Sequence, residues 1–142
     1  MKKLIYIFIC IHLTIVYAEK PQLNFIRYSI REGLPNNQVF DILQDSAGFM
    51  WITTSNGLCR YDGYTFKTYN TSQKTYIDET VVREILTDNK GNIWCAGNNL
   101  HRYDPSADRF IKLTEQIPLG GIYKIEVDYK NNFWISTDEL SE

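Results

Sequence analysis

Apolar-rich runs recur along the chain, and each is closed by a cluster of Asp, Asn and Gly. Residues 39–44 (VFDILQ), 81–87 (VVREILT) and 122–127 (IYKIEV) each lead into a turn that begins with Asp. Beyond each turn comes a Trp and then a short β-prone piece, at residues 52–54, 95–96 and 135–137. Third strands are expected over 58–61 and 100–103, and fourth strands over 66–69 and 110–113. Runs this short, rich in β-branched and aromatic residues and bounded by turn formers, predict strands rather than helices.

The punctuation is itself a repeat. Residues 45–62 read DSAGFMWITTSNGLCRYD, residues 88–104 read DNKGNIWCAGNNLHRYD, and residues 128–142 read DYKNNFWISTDELSE. Trp51, Trp94 and Trp134 are spaced 43 and 40 residues apart, a period that marks stacked or radial repeats. Asp45 and Asp88 can cap the amides of their own turns, and Gly48 and Gly91 can take the positive φ of a tight hairpin. Asn131 holds that place in the third copy, as the next most tolerant residue. Asp62-Gly63 is a two-residue hairpin signal, and residues 104–108 (DPSAD) make the longer second-copy equivalent.

Four short antiparallel strands in about 42 residues make one propeller blade. The expected fold is therefore all-β, about two and a half four-stranded blades of an incomplete β-propeller. Blade 1 spans 38–70, blade 2 spans 80–114, and the start of a third spans 121–142. The repeated framework is Asp45, Gly48, Trp51, Gly57, Leu58, Tyr61 and Asp62, then Asp88, Gly91, Trp94, Leu100, Tyr103 and Asp104, then Asp128 and Trp134. The tryptophans are expected to pack between blades rather than to stack ligands, because recurring aromatics usually serve the inter-repeat core.

Residues 1–18 read as a secretion signal. Lys2 and Lys3 precede an apolar stretch, and Val16-Tyr17-Ala18 offers a cleavage site before Glu19. Residues 19–142 are then the partial propeller. Residues 23–29 (LNFIRYS) resemble the fourth strands and are expected to close a missing last blade, while the third copy stops inside a strand at Glu142.

Removing 18 residues leaves 124, with 17 acidic and 13 basic side chains. That weak acidity argues against nucleic acid or an anionic membrane surface as partner. No later stretch is long and apolar enough to span a bilayer. Cys59 and Cys95 fall on different strands of neighbouring blades and are expected as two separate buried thiols. His101, the one histidine beyond residue 18, reads as a structural strand residue. No metal spacing and no cofactor motif appears, and Asp88-Asn89-Lys90-Gly91-Asn92 reads as a hairpin rather than a calcium loop.

The lead-in Gly33-Leu34-Pro35-Asn36 up to Val39 opens a pattern that continues through Gln44-Asp45, Gly48, Trp51-Ile52, Thr54, Gly57-Leu58 and Arg60-Tyr61-Asp62-Gly63. It resembles the two-component regulator propeller repeat of periplasmic sensor regions in hybrid two-component systems of gut Bacteroidetes. The match departs at Asn99, at Asn131 and at Asp138-Glu139-Leu140. The resemblance implies a much longer protein, with two seven-bladed propellers, an immunoglobulin-like module, a membrane helix, a histidine kinase, a receiver and a DNA-binding domain. It also implies an oligosaccharide ligand and control of polysaccharide-utilisation genes.

Three functions follow as expectations. The first is the N-terminal part of an exported periplasmic carbohydrate sensor, itself not an enzyme, with a homodimer possible. Tyr64, Tyr76 and Asn98 are conceivable ligand contacts, without a choice among them. The second is a fragment of an exported propeller lyase or hydrolase, for which the inner strands offer only the scattered charges Asp41, Glu84 and Glu126. The third is a truncated, non-signalling remnant or interaction module.

Overall fold

The computed structural model describes residues 22–72, 77, 80–113 and 121–138. The segment read as a secretion signal, and Tyr76, lie outside these residues. Ten strands run in chain order: β1 Val39–Gln44, β2 Met50–Thr54, β3 Gly57–Tyr61, β4 Phe66–Tyr69, β5 Glu84–Thr87, β6 Ile93–Ala96, β7 Leu100–Asp104, β8 Arg109–Lys112, β9 Ile122–Val127 and β10 Phe133–Thr137. They form antiparallel sheets β1-β2-β3-β4 and β5-β6-β7-β8 and the pair β9-β10, each strand bonded to its sequence neighbour within its own sheet. This is the all-β blade architecture expected from the repeat.

Blades stack through their first strands. β1 lies against β5 and β5 against β9, so these three are innermost and β4 and β8 outermost. Alternation then decides which side chains meet the next blade. Register aligns Leu43, Trp51, Arg60 and Lys67 across the first sheet, and likewise Asp41, Thr53, Leu58 and Tyr69. This face carries the core: Trp51, Leu58 and Tyr69 pack with Ile85, Ile93 and Phe110 of the second blade, and Ile77 and Val82 of the connecting segment fill the same cluster. Trp51 sits 5.8 Å from Phe110 and 4.8 Å from Tyr103, ring centre to ring centre. A second cluster joins Ala96 and Leu100 to Ile122 and Ile125 in the next seam. Burial in this fold lies between blades, not within one.

One stretch departs from expectation, and a second lacks the partners it was expected to have. Residues 81–83 were expected within the first strand of blade 2, but the ladder begins at Glu84. Their amides are used in crossing from one blade to the next: Val82 N donates to Thr54 O at 3.2 Å and Arg83 N to Ala96 O at 2.8 Å. Residues 23–29 join no sheet among the described residues, and Phe25 is 88% exposed. Their end is nevertheless placed as a fourth strand would be. Tyr28 packs 5.2 Å from Tyr61 and 5.6 Å from Phe66. Tyr69, the matching residue of β4, packs 6.2 Å from Tyr103 and 5.4 Å from Phe110, the same two positions of the following blade.

Candidate functional site

The strongest recurring geometry is a clamp built from one Asp and one Trp. Asp45 Oδ1 accepts the amides of Ala47 and Phe49 at 2.9 Å each, and its Oδ2 accepts the Trp51 indole N–H at 2.7 Å. Asp88 takes Lys90 and Asn92 amides at 2.9 Å and the Trp94 indole at 3.1 Å. Asp128 takes Lys130 and Asn132 amides at 2.9 Å and the Trp134 indole at 3.4 Å. The Asp was expected to cap its turn, but the indole bond was missed. The constant six-residue spacing from Asp to Trp was the available signal. Gly48 (φ +90°), Gly91 (+80°) and Asn131 (+67°) close the three turns in the left-handed region, where Gly and Asn are least strained. Trp51 is fully buried against blade 2, Trp94 packs 4.5 Å from Phe133, and Trp134, with no further blade beside it among the described residues, is 66% exposed.

Beside the first clamp opens a cleft of about 320 Å³, lined by Asp45, Phe49, Trp51, Arg60, Asn92 and Tyr103. Its polar groups are committed to the seam. The Arg60 guanidinium lies 4.7 Å from the Phe49 ring centre and donates to Tyr103 Oη at 2.8 Å. Arg60, Lys67, Tyr69 and Tyr103 all converge on Asp108, with both tyrosine hydroxyls donating at 2.6 Å and Lys67 forming an ion pair. Burial raises the Asp108 carboxyl, but the bonds from Lys67, Tyr103 and Tyr69 and the Arg60 charge outweigh it and hold the group well below the usual carboxylate range. Burial and the Asp108 bond push Tyr69 far up in turn. The network stitches blade 1 to blade 2.

Antiparallel hairpins put alternate turns at opposite ends of a blade. The Asp45, Asp62, Asp88, Asp104 and Asp128 turns share one end. The β2–β3 and β6–β7 turns, and the connections into β5 and β9, share the other. Tyr64, 92% exposed, therefore stands on the first end and Asn98 on the second. The structure does not bring them together.

The inner-strand charges do not form a carboxylate pair. Asp41 Oδ2 accepts the Ile85 amide at 3.1 Å, while Glu84 and Glu126 both meet Lys124, at 3.0 and 3.5 Å. His101 is buried in β7, in register with Cys95 and Lys112. Cys59 and Cys95 are separate, buried, free thiols, and burial pushes Cys59 up to about 12. Among the described residues no three His, Cys, Asp or Glu side chains converge to hold a metal. Leu58 and Leu100 fill the first and second seams. Asp62 caps its hairpin by accepting the Tyr64 and Thr65 amides, and Asp104 accepts that of Ser106. Tyr61 Oη donates to Gly63 O at 2.7 Å.

Residues 33–56, which hold β1, the first Asp turn and β2, match the family model described as two component regulator propeller. Over 52 residues, 37% of this chain and 4% of the relative, the sequence is 38% identical to Histidine kinase P4 of Formosa agariphila. The extracellular domain of the hybrid two component system BT3049 from B. thetaiotaomicron superposes with a TM-score of 0.66 at 27% identity, over 78% of this chain and 17% of that one. That of the one component system BT4673 from the same organism does so with a TM-score of 0.66 at 27% identity, over 82% and 18%. The chain thus spans less than a fifth of either solved domain. No helix among the described residues is long and apolar enough to cross a membrane. The repeat in the sequence and the blades in the structure agree in making the chain similar to the two component regulator propellers.

Proposed function

We propose that this chain is the N-terminal part of an exported, periplasmic sensor domain of a hybrid two-component protein, and that the domain reads an oligosaccharide to control polysaccharide utilisation. The observation that carries the reading is the likeness to extracellular domains of such systems across most of the chain. Two further features support it. Residues 1–18 have the charge and apolar pattern of a cleaved secretion signal. The polar groups of the seam are spent on holding blades, which suits a recognition scaffold rather than acid–base chemistry. Residues 23–29 then serve as the outer strand of a last blade, with Tyr28 already seated on blade 1. In the whole protein a homodimer would carry the signal inward.

The test is calorimetric titration of the protein as encoded in full with xylan, mannan, laminarin, alginate and chondroitin oligosaccharides. One class is expected to bind at micromolar to millimolar Kd and to induce the genes adjoining its own. Absence of binding to every class, with expression of those genes unchanged by all of them, would overturn the reading.

A further inference from the structure

The inner strands carry one repeat position at which the framework is kept and the chemistry changes. Counting back five residues from each clamp Asp gives Phe40, Arg83 and Tyr123. At two of these the ladder slips. In β1, Val39 pairs with Thr54 and Asp41 with Thr53, leaving Phe40 as the extra residue. In β9, Lys124 pairs with Ser136 and Ile122 with Thr137, leaving Tyr123 as the extra residue. Arg83 lies just ahead of the β5 ladder, its amide bonded back to Ala96 O at 2.8 Å. A bulge re-aims a side chain out of the pleat, and bulges gather at rims and beside binding sites. Here the device sits on β1 and β9, the two innermost strands flanking β5, at the end of the blades that carries the inter-blade connections.

The second and third of these side chains meet. Arg83 holds its guanidinium 6.0 Å from the Tyr123 ring centre and forms no ion pair among the described residues. Tyr123 is 53% exposed, and its hydroxyl donates to Asp138 Oδ1 at 2.5 Å. The Asp138 bond comes first and its charge second in pushing the Tyr123 hydroxyl upward in pKa, so the phenol stays a donor. Asp138 Oδ2 faces Gly121, where an added Cβ would lie only 3.0 Å away, and Asn98 Oδ1 borders the same spot at 3.7 Å. An aromatic face, a guanidinium, a carboxylate and an amide thus converge on one exposed rim.

We propose that this rim is a sugar-binding subsite, with Tyr123 as the stacking platform for a pyranose ring, Asp138 accepting from its hydroxyls and Arg83 donating to its oxygens. An exposed tyrosine offers a rigid apolar face for ring C–H groups, and convergent polar side chains around it fix orientation. This inference deepens the sensor reading and rests on it.

The experiment uses the protein as encoded in full and the oligosaccharide class that the wild type binds in the panel above. Tyr123→Phe keeps the ring and is expected to stay within about threefold of wild type in Kd, whereas Tyr123→Ser and Asp138→Ala should each weaken binding at least tenfold. Ring protons of the bound sugar should shift upfield in NMR with the wild type and Tyr123→Phe, and not with Tyr123→Ser. Unaltered thermal midpoints separate these effects from misfolding, since Tyr123 and Asp138 are exposed, and Arg83→Lys provides a further variant if Tyr123→Ser does not fold. Wild-type binding that survives Tyr123→Ser, or Arg83→Lys together with Asp138→Ala, would overturn the subsite and leave the sensor reading standing. No wild-type binding to any class would overturn both.

Discussion

Asp108 shows how much one side chain can contribute outside the repeated motif. It sits in the β7–β8 turn with φ +48°, left-handed without being glycine, and that backbone turns its carboxylate toward blade 1. There it gathers Arg60, Lys67, Tyr69 and Tyr103. The sequence showed only a five-residue turn, DPSAD, because the four groups that Asp108 gathers lie on other elements and the equivalent first-copy turn is shorter. Its folded pKa is depressed, so the ionised form is bound more tightly by the native state than by the unfolded chain. The stabilisation is therefore complete above the unfolded value near about 4 and drains away as pH falls below it. With 37% of its side chain exposed, solvent screening keeps the effect modest. Asp108→Asn is expected to lower the urea midpoint at pH 7 and to narrow its gap from the wild type as pH falls from 4 to 2.5. A gap that is constant across that range would remove the carboxylate's charge from the explanation.

At the scale of the element, strands and turns were legible because apolar runs and Asp/Gly punctuation are local signals. All ten strands fall where the runs were read, and the positive φ at Gly48, Gly91 and Asn131 answers the turn chemistry. What the sequence could not show is which end of a blade each turn occupies, so no choice between Tyr64 and Asn98 as ligand contacts was open, and they stand at opposite ends. The bulges at Phe40 and Tyr123 were hidden for a related reason, since a slipped pair leaves the alternation of a six-residue strand almost unchanged. The β2–β3 and β6–β7 turns illustrate a one-residue deletion read from its geometry. Thr53 pairs with Leu58 around four residues, but Ala96 pairs with Leu100 around three, and the shorter turn dispenses with a left-handed glycine. Gly57 in the longer turn has φ +83°, and a Cβ there would lie 2.4 Å from Tyr69 O and 2.7 Å from Asn70 Cβ. Gly48 has φ +90° with nothing within 4 Å. Gly57→Ala should therefore cost about 3 kcal/mol or more, against about 1–2 kcal/mol for Gly48→Ala, where only the backbone conformation is penalised. Urea unfolding of the two variants decides it, and equal losses would mean that the approach of β4 to Gly57 is not the constraint.

For the whole molecule, the decisive fact is that cores lie in the seams. The first seam holds Trp51, Leu58, Tyr69, Ile85 and Phe110, and the second holds Ala96, Leu100, Ile122 and Ile125. The outward faces of the same blades are open: Ile42 is 56% exposed on one side, and Trp134 is 66% exposed on the other. Repeat arrays of this kind owe their stability to nearest-neighbour interfaces, so a blade with one covered face keeps only part of what a blade between two neighbours has. Open faces and unpaired strand edges also invite association. The 142-residue chain on its own is expected to melt over a broad range, with β9 and β10 lost before the first seam, and to bind a hydrophobic dye in its folded form. Hydrogen exchange should rank the same way, with β2 and β3 amides slowest and β10 fastest, because β10 has an exposed indole where β2 has a buried one. Appending a fourth unit of the same repeat should sharpen the transition and slow exchange in β10 most. A monomeric chain that unfolds in one sharp calorimetric transition, with equal protection in β2 and β10, would show that the seams are not the units of stability and that each sheet holds itself together.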